Sequence, residues 1–177
     1  ALGSTLEKNK GFVNVYKKQS DNTWILIDKL EQNVIGHGRS VEISDDGQII
    51  SIAGMYENQG ADYDQRYINT YKNKNGSFNN KYSERAKGYL YGGDYFGRAM
   101  SLSENGRFLI AGAFGLSAEK GSINVFELAE NKIIQRGTIH GAAFSERFGS
   151  SVKISNDGNT IAVSAPDPNG RYDTKSG

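Results

Sequence analysis

The side chains with catalytic or metal-binding chemistry are few in this sequence. It contains two histidines, His37 and His140, and no cysteine. An imidazole acts as a general base or a metal ligand only when partners lie within reach, and no spacing here pairs either histidine with a Ser nucleophile, an acid or a second ligand. The lack of cysteine removes disulfides and thiol chemistry. We predict no catalytic residue, with His37 filling a place in a strand and His140 at the surface.

Oxygen-rich loops are the candidates for a metal. Asp62 and Asp64 fall in one loop, and Asp167 and Asp173 fall in another. Carboxylate oxygens suit Ca²⁺, which takes six to eight oxygen ligands. However, no loop has the spacing of an EF-hand, and the corresponding middle loop carries only Glu119. We predict solvated loop charge and no cofactor, with a Ca²⁺ site at Asp62, Asp64, Asp167 and Asp173 as the alternative.

Three further motifs have simpler interpretations beside a functional one. Residues 92–97 include three glycines, but phosphate cradling depends on a helix N-terminus that the sequence does not predict there. Residues 75–77 read Asn-Gly-Ser, an acceptor site for glycosylation in a polar loop. Among the many tyrosines, residues 89–91 are the surface candidates, whereas Tyr67 and Tyr71 share a strand face and are expected to fill space between sheets.

Charge and hydropathy exclude several partners. Lys and Arg total 21 against 20 for Asp and Glu, a net charge of +1. No basic cluster predicts nucleic-acid binding, and no polybasic run predicts a membrane surface. Apolar stretches such as residues 108–114 are too short to span a bilayer. The remaining partners are other protein chains or further segments of the same chain.

The elements that would position any site form a repeat. Residues 36–55, 95–114 and 147–166 each read as a strand, a tight turn and a second strand. Asp-Gly or Asn-Gly stands at each turn, which predicts a type I′ turn with positive φ at both central residues. The second strands, residues 49–53, 108–111 and 161–163, are nearly continuous apolar runs and are predicted to be buried on both faces.

A second unit alternates with these hairpins. Its strands begin at Gly11, Arg66 and Gly121, each 55 residues from the next. Fourth strands follow, clearly at Trp24 and more weakly at residues 82–90 and 132–139. Four antiparallel strands per repeat must stack on their neighbours to hide both faces, and radial stacking gives an all-β propeller. A solenoid or a sandwich is the alternative.

The repeat boundaries divide residues 1–177 into a partial propeller. Residues 1–32 form a half-blade, 36–90 and 95–141 form whole blades, and 147–177 form a second half-blade. Propellers close with about four to eight blades, so this arc leaves open edges. We favour further blades in the same polypeptide. The alternative is complementation of half-blades between two chains, giving a dimeric six-bladed ring.

These residues resemble the FG-GAP repeat, the blade unit of integrin α-subunit propellers and of other surface proteins. Phe96-Gly97 and Phe148-Gly149 match its FG, and residues 164–166 match its GAP strand end, with residues 53–55 and 112–114 as looser versions. His37 replaces the expected Phe in the first copy. Calcium-binding members carry a longer acidic loop than the short turns present here, so the resemblance does not imply a calcium site.

The resemblance implies a non-catalytic interaction or structural module of an extracellular or cell-surface protein, with a role in protein binding or cell adhesion. Partners would meet the rim loops, residues 57–65, 73–80 and 116–120. A glycan-binding propeller and a building block of a filamentous or capsid-like assembly are the alternatives. An enzyme is disfavoured because we expect no His, Asp or Glu to recur at turns that face a channel.

Overall fold

A computed structural model describes residues 11–32, 36–56, 65–81, 86–87, 95–115, 120–130, 132–142 and 147–166. These residues form only strands and turns. The strands are β1 (Phe12–Lys18), β2 (Trp24–Glu31), β3 (Ser40–Ile43), β4 (Ile49–Tyr56), β5 (Gln65–Lys74), β6 (Ser77–Lys81), β7 (Ala86–Lys87), β8 (Met100–Leu102), β9 (Phe108–Ala113), β10 (Ser122–Ala129), β11 (Lys132–His140), β12 (Val152–Ile154) and β13 (Ile161–Val163). Within these ranges, no helix has the length and hydropathy needed to cross a bilayer.

All strand pairing is antiparallel within four sheets. Strands β1 and β2 form the N-terminal half-blade, and β12 and β13 form the C-terminal half-blade. The first full blade has the order β3-β4-β5-β6, with β7 also on β5, and the second has the order β8-β9-β10-β11. The fourth strand of the first full blade begins at Ser77, earlier than the predicted Tyr82, because the chain turns tightly after Lys74.

The sheets fan around a common inner edge. Strand β8 lies against both β3 and β12, so the innermost strands of successive blades are neighbours, and β2 lies against the outer strand β6. This radial order of four-stranded antiparallel sheets defines a segment of a β-propeller. The predicted fold class is confirmed.

The core lies in the seams between blades. One cluster joins Ile50 and Ile52 of the first full blade to Val15 and Leu30 of the N-terminal half-blade. Equivalent clusters fill the seam between the two full blades and the seam before the C-terminal half-blade. Burial of about 25 cal/mol per Å² of apolar surface therefore stabilises contacts between repeats more than contacts within one.

Two predictions about the hairpins are wrong. Among the three repeated turns, positive φ occurs at the glycine alone, for example Gly47 at 67°, so these are not type I′ turns. The type I′ geometry occurs instead at Asn75 (56°) and Gly76 (88°), inside the stretch that we expected to be a rim loop. Asn and Gly tolerate the left-handed region, which lets β5 pass directly into β6.

The third apolar strand is also less buried than predicted. Ile161 and Val163 of β13 are partly exposed and Ala162 is exposed. In the full blades the same strand is covered on its outer side by β5 or β10. No strand of the described residues covers β13 in this way.

Candidate functional site

The first repeated turn is fixed by one serine and one aspartate. Ser44 Oγ donates to Asp46 Oδ1 over 2.6 Å and accepts from the Ile49 N–H over 2.9 Å. Asp46 Oδ1 also accepts from the Gln48 N–H over 2.9 Å. The backbone N–H of Gly47 donates to the Ser44 carbonyl. Short polar side chains thus satisfy the turn's own backbone, which explains its rigidity.

The other two turns repeat this network. Ser103 Oγ donates to Asn105 Oδ1 and accepts from the Phe108 N–H, with both distances at 2.9 Å. Ser155 Oγ donates to Asp157 Oδ1 over 2.5 Å and accepts from a backbone N–H in the same way. The serine two residues before the Asx is the signal that distinguishes this turn from a type I′ hairpin.

The three turns meet at one end of the inner strands. The Asp45 N–H donates to the Glu104 carbonyl over 3.2 Å, and the Glu104 N–H donates to the Asn156 carbonyl over 3.3 Å. Each blade is therefore joined to the next by a backbone hydrogen bond at the turn. An open cavity of about 720 Å³, here called the mouth, is lined by Asp45, Asp46, Glu104, Asn105, Asn156 and Asp157.

The mouth is acidic. The hydrogen bond from Ser44 lowers the pKa of Asp46, and the bond from Ser155 lowers that of Asp157, because both stabilise the carboxylate. Both groups are therefore ionised at neutral pH. Our expectation that no acid recurs at channel-facing turns is wrong, because the turn residues by themselves predict only chain reversal and their common mouth appears once the blades stand side by side.

The two residues at each mouth turn have different roles. The Asx at the second position belongs to the network with serine. Within the described ranges, no hydrogen bond or ion pair involves the side chains at the first position, Asp45, Glu104 and Asn156. The mouth thus combines a constant scaffold with three side chains that differ between blades.

Polar side chains of the inner strands connect neighbouring blades below the mouth. Ser101 Oγ accepts from the Ile154 N–H over 3.2 Å, and Glu42 accepts from the Leu102 N–H. Burial raises the pKa of Glu42, against the opposing effects of the Leu102 N–H and the Lys153 charge. Glu42, Ser101 and Lys153 occupy the same repeat position, and this recurrence of a polar residue in the inner strand is the sequence signal that could have predicted the contact.

The FG motif has a structural role at the blade seams. Phe96 is buried, and Gly97, at φ 75°, lies so close to the first full blade that a Cβ there would come within 3.0 Å of the Ala53 Cβ. Gly149, at φ 93°, approaches the Ser122 carbonyl equally closely. Only glycine meets both the conformation and the close approach.

The histidines and two tyrosines lie where we predicted. His37 is buried, and its Nδ1 lies 3.0 Å from the Tyr67 hydroxyl. Tyr67 and Tyr71 are both buried between sheets. His140 is exposed at the end of β11. These placements do not bring the two histidines together.

The other predicted residues lie outside the described residues. They are the Ca²⁺ candidates Asp62, Asp64, Asp167 and Asp173, the tyrosine patch 89–91 and the rim loops 57–64 and 116–119. In the ranges that are described, no group of three or more His, Asp or Glu side chains is placed to hold a metal ion.

The fold and the mouth define this chain as a segment of a β-propeller, and comparison with known proteins adds little to that class. No protein-family model matches the chain, and no curated protein matches it. Crystal structures of proposed 6-phosphogluconolactonases are similar: one from Bacteroides fragilis at 13% identity with a TM-score of 0.34, and one from Bacteroides uniformis at 11% and 0.33. Each alignment covers 86% of this chain and 57% of the other, so the chain spans just over half of their length.

Proposed function

We propose that this chain is a non-catalytic interaction module that binds a protein partner, and that the mouth is its described binding surface. The observation that carries the proposal is the convergence of six carboxylate and amide side chains on one open cavity, each on a turn tied to its neighbour by backbone hydrogen bonds. Oxygen-rich surfaces of this kind attract Lys and Arg side chains. The partner therefore presents a basic segment.

Rigidity of the turns supports binding. A surface that is already fixed loses little conformational entropy when a partner docks, which favours affinity. Ser, Asx and Gly hold the backbone in every turn, whereas Asp45, Glu104 and Asn156 differ from blade to blade. A constant frame with variable exposed side chains is the arrangement expected of a recognition surface on a scaffold.

The state of the acids favours binding over catalysis. A general acid or base works best with a pKa near the working pH. Asp46 and Asp157 have lowered pKa values because serine hydroxyls bind their carboxylates. Glu42 has a raised pKa, but its carboxylate is engaged by the inner strand of the next blade. Each acid thus has a role in the architecture.

The same proposal includes the FG-GAP unit and an extracellular or cell-surface location. The buried Phe96 and the close seam contact of Gly97 give the FG pair a physical reason to recur in each blade. Phe148 and Gly149 repeat the arrangement. The location rests on the resemblance to surface proteins built from this repeat.

The test is binding to an array of secreted and extracellular-matrix proteins, followed by titration of each hit by biolayer interferometry. We expect saturable binding that weakens with salt, as screening of exposed charge requires. Asp45→Asn combined with Glu104→Gln is expected to weaken binding about tenfold or more. Glu130→Gln, which neutralises an exposed acid outside the mouth, is the control and should leave the affinity unchanged.

Several results would contradict the proposal. Equal binding by the double variant would remove the mouth as the surface. Binding to a glycan array, lost on mutating the mouth, would favour the glycan-binding alternative. Turnover of esters or sugar lactones that is abolished by Glu42→Gln would make the chain an enzyme.

A further inference from the structure

The N-terminal half-blade exposes side chains whose repeat equivalents are buried. Trp24 of β2 is 64% exposed, whereas Ile133, at the same position of β11, is 8% exposed. Tyr16 of β1 is 52% exposed, whereas Phe126 of β10 is 2% exposed. Ile133 and Phe126 are covered by the preceding blade. The outer face of the N-terminal half-blade is thus shaped for a preceding blade.

The inner strand of the first full blade shows the same contrast. Val41 is 42% and Ile43 is 53% exposed, whereas their equivalents Met100 and Leu102 are 6% and 7% exposed. The equivalents lie in the seam to the first full blade. An inner hairpin beside β1 would cover Val41 and Ile43.

The far end of the described arc lacks the opposite half. Ile139 of β11 is 49% exposed, but Leu30, at the same position of β2, is 4% exposed because the next blade covers it. An outer hairpin beside β13 would cover Ile139. The chain carries an outer hairpin, β1–β2, and an inner hairpin, β12–β13, which together make one blade.

The register of the missing pairing follows from the full blades. Ile50 pairs with Tyr71 in the first, and Leu109 pairs with Phe126 in the second, which are the same two repeat positions. Tyr16 and Ile161 occupy these positions in the half-blades. The full blades therefore specify how β1 would align with β13.

Charge also matches across the new seam. Glu42 and Ser101 each reach from an inner strand to a backbone N–H of the following blade. Lys153 holds the equivalent position in β12 and would face the first full blade of another copy, which carries Glu42. Opposite charges at this position favour the contact.

We propose that β13 of one copy pairs with β1 of a second copy, and that the reciprocal pairing closes a two-fold dimer as a ring of about six blades. Each composite blade consists of β12 and β13 from one chain and β1 and β2 from the other. The proposal concerns the strand edges and is independent of the role of the mouth.

Engineered cysteines test the register in a chain that has no native cysteine. Lys17 and Thr160 occupy the positions of Glu127 and Phe108, which are paired in β10 and β9. In that ladder the Leu128 N–H donates to the Arg107 carbonyl, so the adjacent pair is of the close, non-hydrogen-bonded type, which suits a disulfide. Mixing Lys17→Cys with Thr160→Cys is expected to give a disulfide-linked dimer after mild oxidation.

The matched control is Lys18→Cys mixed with Thr160→Cys, since a shift of one residue moves the thiol to the other face of the strand. We expect at least about a tenfold lower cross-linked fraction for this mixture. Equal cross-linking of both mixtures would overturn the proposed pairing.

Unmodified protein provides a second measurement. Light scattering should give twice the chain mass of 19.4 kDa. Emission of Trp24, the one tryptophan, should shift to shorter wavelength as dimer forms, because the indole becomes buried. A monodisperse monomer with solvent-exposed Trp24 over the concentrations of the cross-linking assay would overturn the proposal, and segments with further copies of the repeat would then be the partners of both edges.

Discussion

The carboxylate of Glu42 spans the seam between the two full blades and accepts a hydrogen bond from the backbone N–H of Leu102, with 3.4 Å between Oε2 and the nitrogen. An inner strand of a propeller has one edge that no strand within its own blade covers. A side chain from the preceding blade satisfies that edge here, and Ser101 does the same for Ile154. The blades are therefore joined by polar as well as apolar contacts.

Glu42 gives the protein a specific pH dependence. Burial raises its pKa in the folded state above the ordinary value of 4.5. The folded protein then binds more protons at this site than the unfolded chain, so this contribution to stability is present below pH 4.5 and is lost as pH rises through the folded-state pKa. Relative to Glu42→Gln, the wild type should become less stable across that window.

Urea unfolding of both proteins at a series of pH values measures the difference. Asp46 and Asp157, whose pKa values are lowered, act in the opposite direction but equally in both proteins, and their effect cancels. Glu42→Gln keeps an oxygen acceptor for Leu102. A difference that is flat, or that grows in favour of the wild type as pH rises, would contradict the assignment.

The turn serines are expected to stabilise the mouth. Ser103 is fully buried, and Ser103→Ala removes the hydrogen bond to Asn105 and leaves the Phe108 N–H without its hydroxyl partner. A loss of about 1–3 kcal/mol in the free energy of unfolding is expected. Ser150→Ala, which removes one local bond from a partly exposed hydroxyl to the Arg147 carbonyl, should change it by less than about 0.5 kcal/mol. Similar losses for both variants would show that the turn network has no special role.

Two strand glycines make a matched pair for the blade seam. A Cβ at Gly112 of β9 would lie 2.0 Å from the Gly149 carbonyl oxygen, which is backbone of the next half-blade. A Cβ at Gly137 of β11 would meet nothing within 4 Å. Gly112→Ala should therefore destabilise the fold by about 2 kcal/mol or more, because backbone must move.

Gly137→Ala should leave stability unchanged or slightly higher, because alanine has less conformational freedom to lose on folding. Thermal unfolding followed by far-ultraviolet circular dichroism compares the two variants. Equal effects would mean that the seam is not closely packed at Gly112.

Short-range patterns in the chain account for the strands but not for the mouth. The strands were predictable because alternation and the 55-residue spacing are local properties of the chain. The turn type was not, because Asp46-Gly47 fits more than one turn and Ser44 decides between them. The mouth was not predicted either, since Asp45 and Glu104 are 59 residues apart and meet only through the radial order of blades.

The departure from FG at His37 is explained by a partner that the sequence places 30 residues away. His37 Nδ1 lies 3.0 Å from the Tyr67 hydroxyl, and the two rings are stacked. A Cβ at Gly54 would lie 2.3 Å from that hydroxyl, so glycine makes room for the tyrosine. In the second full blade, Phe96 takes the place of His37. The histidine and the tyrosine therefore form one buried polar unit.

This unit predicts a coupling that a double-mutant cycle can measure. His37→Phe and Tyr67→Phe should each destabilise the protein by about 1–3 kcal/mol, since each removes one member of a buried hydrogen bond. The double variant should lose less than the sum, with a coupling of about 0.5–3 kcal/mol in urea unfolding. Tyr71→Phe, which removes the hydroxyl bound by Gln32, is the control and should add to His37→Phe without coupling. Additivity of His37→Phe with Tyr67→Phe would mean that the histidine serves only to fill the place of the missing phenylalanine.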